Sequence, residues 1–97
     1  MSLSRHQASQ EALRRIRAAR SAAAQTLDLI GLGLTALPAE LAQLTHLEWL
    51  DLSDNRLTAL PAELGQLTNL RWLSLSGNPL TALPRLTHLE ELGQPAD

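Results

Sequence analysis

One string of residues returns along this chain with a period of 23, and that repeat constrains the fold more than any other feature. Residues 27–49 read LDLIGLGLTALPAELAQLTHLEW and residues 50–72 read LDLSDNRLTALPAELGQLTNLRW. Residues 73–84 read LSLSGNPLTALP, after which the pattern shortens. Leucines keep register at Leu27, Leu50 and Leu73, at Leu29, Leu52 and Leu75, at Leu34, Leu57 and Leu80, and at Leu37, Leu60 and Leu83. Pro38, Pro61 and Pro84 follow the last set. Composition agrees: of 97 residues, 24 are leucine and 14 alanine, with no valine, phenylalanine, tyrosine, lysine or cysteine. A core drawn almost wholly from one side chain implies one packing environment used repeatedly.

Each unit has two halves with different periods. Its start alternates, as in Leu50-Asp51-Leu52-Ser53, which is the pattern of a half-buried strand. Its second half spaces leucines by three or four, as in Leu60, Leu64, Leu67 and Leu70. Pro61 fixes its own φ and lacks a donor, which favours a short 3₁₀ or extended turn over a long helix. A strand that returns once per repeat cannot form hairpins. It stacks in parallel on its copy in the next repeat, about 4.8 Å away, with the outer turns stacked behind it.

These residues resemble the leucine-rich repeat family, whose members carry LxxLxLxxNxL followed, in one subtype, by LxxLPxxLxxL. Residues 47–57 (LEWLDLSDNRL) and 70–80 (LRWLSLSGNPL) match at every named position, and the likeness extends over roughly residues 24–92. The style is most similar to bacterial members, including repeats attached to Ras-like GTPase domains in Roco-type proteins and repeats of secreted effectors. The resemblance implies an α/β solenoid: a short right-handed coil with a concave parallel sheet of about three strands and short turns or 3₁₀ segments on the convex side. It also implies a non-enzymatic protein-interaction module. Departures occur at both ends. Ala24 and Leu32 replace a leucine and the asparagine of the first unit, and the third unit is four residues shorter between Pro84 and Leu89. That deletion is expected to tighten the outer turn and close the C-terminal end early. Asn55 and Asn78 sit where the chain leaves the strand, and their amides are expected to pair with buried backbone groups. Removing the Asn55 amide is expected to destabilise by about 1–3 kcal/mol.

The chain divides into a basic N-terminal segment (1–24), the repeats (25–92) and a polar tail (93–97). The first segment is rich in helix formers. Ser9 is a candidate cap, and Ala12, Ile16, Ala19 and Ala23 a candidate apolar face. A helix here covers the open end of the first repeat, which would otherwise expose leucines. Its arginines, Arg14, Arg15, Arg17 and Arg20, also offer a surface for an acidic partner. Residues 1–25 carry a net charge of +4 and the remainder −6, an asymmetry that could drive head-to-tail association of copies.

Strand alternation places three columns on the concave side: Thr26, Trp49 and Trp72; Asp28, Asp51 and Ser74; Ile30, Ser53 and Ser76. Glu91 extends the first column, and Glu48 and Arg71 flank it. Trp49 and Trp72 are the only aromatic residues. Beside Asp28 and Asp51 they form a candidate hot spot for a partner carrying arginine or lysine. The alternative is that the tryptophans arose by duplication of one repeat and only cover the sheet.

Other chemistries find little support. Gly31-Leu32-Gly33-Leu34-Thr35-Ala36 fits G-x-G-x-x-A, but a dinucleotide site needs a helix opening at that turn, and Pro38 follows too soon. Gly31 and Gly33 better suit a turn that lacks the asparagine. His46 and His88 stand in LTHLE contexts two strands apart, too far to share a metal ion, and His6 lies near the terminus. Ser53 and Ser76 have no histidine near them in the repeat. No catalytic residue, cofactor or metal is expected, and a net charge of −2 argues against nucleic acid. No apolar run approaches the roughly 20 residues of a membrane span, and no secretory signal is evident. The expected setting is cytoplasmic, with secretion as an effector left open. Self-association through an open solenoid end, and origin as a fragment or engineered minimum of a longer protein, remain alternatives to the binding module.

Overall fold

A computed structural model of the chain describes residues 4–81 and 91–93. Each repeat opens on a three-residue strand: β1 (Thr26–Asp28), β2 (Trp49–Asp51), β3 (Trp72–Ser74) and β4 (Glu91–Gly93). They form one parallel sheet in the order β1-β2-β3-β4. The expected sheet of about three strands is present, and β4 extends it. Leu27, Leu50, Leu73 and Leu92 lie in one row across it. Neighbours in that row are 23 residues apart until the last pair, Leu73 and Leu92, which are 19 apart. The four-residue deletion therefore falls in the connection and leaves the strand register intact. Leu83, Pro84, Leu86, His88 and Leu89 lie outside the described residues.

Proline sets the convex side. Pro38 and Pro61 hold φ at −61° and −67° in extended backbone, and 3₁₀ turns follow over Ala39–Gln43 and Ala62–Gln66. Leu41 and Leu64 donate their N–H to the proline carbonyls at 3.1 Å, and their side chains point into the core. Between sheet and turns lies the leucine interior. Leu29, Leu47, Leu50, Leu52, Leu57, Leu73 and Leu75 have no exposed surface. Burial of such side chains is the main favourable term in folding, roughly 1.5–3 kcal/mol for each.

The sharp turn after each strand needs two devices. One is a left-handed residue in every repeat: Gly31 (φ 66°), Asp54 (φ 58°) and Gly77 (φ 75°). Gly33 also has positive φ. The other is the buried asparagine. Asn55 accepts from the N–H groups of Leu32 and Leu34 at 3.1 and 3.0 Å. Its amide donates to the carbonyls of Leu29 and Leu52, both at 2.9 Å. Asn78 repeats this one coil later, accepting from Leu57 N–H at 3.1 Å and donating to the Leu52 and Leu75 carbonyls at 2.8 and 3.0 Å. Each amide thus joins its own turn to the preceding coil. Leu32 occupies this position in the first repeat, where no coil precedes and an amide would lack those partners. It is buried instead, beside Gln7, Glu11 and Arg15 of the N-terminal helix.

That helix, α1 (Arg5–Ser21), begins earlier than expected. Ser4, rather than Ser9, is its cap: the Ser4 hydroxyl accepts from Gln7 N–H, and the Gln7 side chain accepts from Ser4 N–H. A reciprocal pair satisfies two terminal donors, and nothing comparable involves Ser9. The apolar face is Ala8, Ala12, Ile16 and Ala19. Ala23 does not belong to it; it is exposed, beyond the helix end, with φ at 48°. Small side chains let α1 lie close against β1 and the first 3₁₀ turn. Arg15 donates to the Asp28 carbonyl at 3.1 Å, and Arg17 grips Glu40 with two hydrogen bonds at 3.1 and 2.9 Å. The edge of β1 is thereby covered. No helix among the described residues is long and apolar enough to cross a membrane.

Candidate binding surface

Strict register decides what the concave face presents. Thr26 pairs with Trp49, Trp49 with Trp72 and Trp72 with Glu91, so the first column crosses the whole sheet. Parallel strands about 4.8 Å apart bring equal side chains to stacking distance. Trp49 and Trp72 accordingly lie face to face, ring centroids 4.6 Å apart and planes within 3°. Both are half-buried, since each covers one face of the other.

The second column departs from expectation. Asp28 is exposed, but Asp51 and Ser74 are buried, at 9% and 7% exposure, although alternation alone points them to solvent. Close strand spacing packs a column's short side chains against one another. Hydrogen bonds complete the enclosure: Asp51 Oδ1 accepts from Ser53 N–H at 2.9 Å, and the hydroxyls of Ser53 and Ser74 are 2.7 Å apart. Asp28 makes the same local bond, accepting from Ile30 N–H at 2.8 Å. In the third column Ile30 is the exposed large apolar residue among those described, whereas Ser53 and Ser76 are half-buried. Arg71 is exposed and Glu48 half-buried at the flank.

The basic helix is less available than its composition suggests. Glu11 holds Arg14 at 2.6 Å and Arg15 at 2.7 Å. Hydrogen bonds from Arg14 and then Arg15 pull the Glu11 carboxyl from its ordinary 4.5 to about 2. The Arg17 bridge lowers Glu40 in the same way, and Arg14 and Arg17 are raised by their glutamates. Arg17, Arg20, Ser21, Glu40 and Gln43 line an open groove between α1 and the first 3₁₀ turn, with Glu40 offsetting its positive charge. No motif marks the Arg17–Glu40 clasp. The only sequence signal is an arginine-rich helix next to a turn that opens on a glutamate.

Among the described residues no three histidine, aspartate or glutamate side chains gather as metal ligands. Turns and bends, with no helix, occupy residues 31–36, the segment that fits the dinucleotide pattern. The concave column is therefore the strongest candidate surface.

Comparison with known proteins identifies the repeats. A family model described as Leucine rich repeat matches residues 23–80, and another, Leucine Rich Repeat, matches residues 69–92. A solved leucine-rich repeat protein of Leptospira interrogans is similar at a TM-score of 0.63 and 35% sequence identity, over 74% of this chain and 26% of that one. The chain spans about a quarter of that protein's length. No curated relative matches the chain.

Proposed function

The chain belongs to the leucine-rich repeat family, and on that premise we propose that it is a protein-interaction module without catalytic chemistry of its own, gripping a protein or peptide on the concave surface around Trp49 and Trp72. The stacked pair carries this reading. The interior is filled by leucine, isoleucine and alanine, yet both aromatic residues of the chain stand half-exposed on the one face where strand register makes them adjacent. Tryptophan dominates interface energetics because it buries much area at little entropic cost. The neighbours suit recognition too. Asp28 keeps one carboxylate oxygen outside its turn hydrogen bond, and Ile30 adds apolar surface at the end of the same strand. Thr26, Asp51, Ser53, Arg71, Ser74 and Ser76 complete the surface. The buried members of this set, Asp51 and Ser74, shape it rather than touch a partner.

The test is a random peptide library panned against the intact chain and against a variant carrying both Trp49→Thr and Trp72→Thr. Threonine already occupies this column at Thr26, so the change respects the strand. Peptides enriched on the native chain should fail to bind the variant. Equal capture by both would remove this face from consideration.

A further inference from the structure

We infer that the face of Trp49 turned toward Thr26 seats a guanidinium, so that the concave surface takes an arginine side chain of the bound peptide, with Asp28 as counter-charge. The inference rests on the concave-face reading and adds the chemistry of the ligand.

The stack makes the two tryptophans unequal. Each indole hides one face against the other at 4.6 Å. The second face of Trp72 looks toward the position of Glu91 on β4, whereas that of Trp49 looks over Thr26 on β1. Thr26 is small and exposed, so it forms a low floor beside a tall aromatic wall. Asp28 stands two residues along β1 on the same side of the sheet, about 6.6 Å away by the rise of a strand. It is exposed, and of its two oxygens only Oδ1 is held, by Ile30 N–H. A planar cation lying on the indole over Thr26 can therefore direct an N–H edge at the remaining oxygen.

The charges around this notch favour a cation. Asp28 and Asp51 are register partners, and Glu48 precedes Trp49 on the flank. Arg15, which reaches β1 from α1, is bound to Glu11 at 2.7 Å and directs Nη1 to the Asp28 carbonyl rather than its carboxylate. Arginine fits better than lysine. A guanidinium is flat and weakly hydrated, so it stacks on an indole while keeping its hydrogen bonds in plane. An ammonium keeps its water and offers no flat face.

The probe is the blocked pentapeptide Gly-Ser-Arg-Ser-Gly, titrated into the intact chain and followed by NMR at the two indole N–H signals. Matched peptides carry citrulline, which keeps the shape and loses the charge, or lysine. The arginine peptide should move the Trp49 signal and bind about tenfold more tightly than citrulline, with lysine between them. Asp28→Asn, which retains an acceptor for Ile30 N–H, should weaken binding by about tenfold. Trp49→Thr should abolish it, and Trp72→Thr, which removes the ring that backs Trp49, should weaken it less than that. Equal affinity for citrulline, indifference to Asp28→Asn, a response confined to Trp72, or no response up to the solubility limit would each overturn the inference. Library peptides that need the tryptophans but carry no arginine would defeat it while leaving the concave-face reading standing. Arginine binding alongside library capture indifferent to the tryptophans would do the reverse.

Discussion

The first and second repeats share a spacing and differ where their neighbours differ. Thr26 stands against Trp49, Gly31 against Asp54, and Leu32 against Asn55. The second coil lies between two others, and its asparagine reaches backward to the Leu29 carbonyl and the Leu32 and Leu34 amides. The first coil has α1 behind it, whose own backbone bonds are internal, so an apolar side chain serves there and an amide would not. The lesson is that the repeat motif describes a coil with coils on both sides. Its departures report which side lacks one.

The largest effect expected from this contrast is at Asn55. Asn55→Ala strands three backbone groups in a buried turn, the Leu32 and Leu34 N–H groups and the Leu29 carbonyl, so a loss of about 3 kcal/mol is expected in denaturant unfolding. The reverse change, Leu32→Asn, should also destabilise, by about 2 kcal/mol, because the amide is buried without a preceding coil to bond. A gain from Leu32→Asn would show that the first turn wants the motif residue after all.

A smaller effect separates the left-handed positions. A side chain on Gly77 would meet the Asp54 backbone at 3.2 Å, whereas one on Gly31 would meet open space. Both have positive φ, so both alanine variants carry strain of about 1 kcal/mol. Gly77→Ala should lose roughly 1 kcal/mol beyond Gly31→Ala, since only it must also displace a neighbouring backbone. Equal losses in thermal melts would mean that the turns relax independently.

The mildest expectation concerns the ion pairs that tie down the first end. The folded-state carboxyl of Glu11 titrates near 2, below its ordinary 4.5, and that of Glu40 is shifted in the same direction. A depressed carboxyl stabilises above its unfolded value, and that contribution fades as pH falls through the folded one. Between pH 4.5 and 2, amide exchange in α1 should therefore rise relative to the second coil. Because these pairs are at the surface, the change should be modest and should shrink in high salt. Uniform acceleration across both coils would argue against a separately held cap.

Most of the scaffold is legible in the residues because the repeat states it three times. The strand leucines and the proline recur three times at fixed spacing and the asparagine twice, and any one copy checks the others. The non-repeating parts are harder. The start of α1 at Ser4 depends on a Ser–Gln reciprocal pair that competes with an equally plausible serine at position 9. Burial of Asp51 and Ser74 depends on how closely columns pack, which alternation does not encode. The tryptophan column is readable as adjacency. That the rings cover one another, leaving a distinct outer face on each, follows only from side-chain geometry.

The central claim is that leucines and asparagines hold the coil while the tryptophan column is free to serve a partner. It is tested most directly by measuring unfolding and peptide capture on one protein, the variant with Trp49→Thr and Trp72→Thr. The account predicts a melting midpoint within about 8 °C of the native chain, the loss of one stacking contact, together with abolished capture. A variant that still captures the selected peptides, or one that cannot fold without its tryptophans, would contradict it.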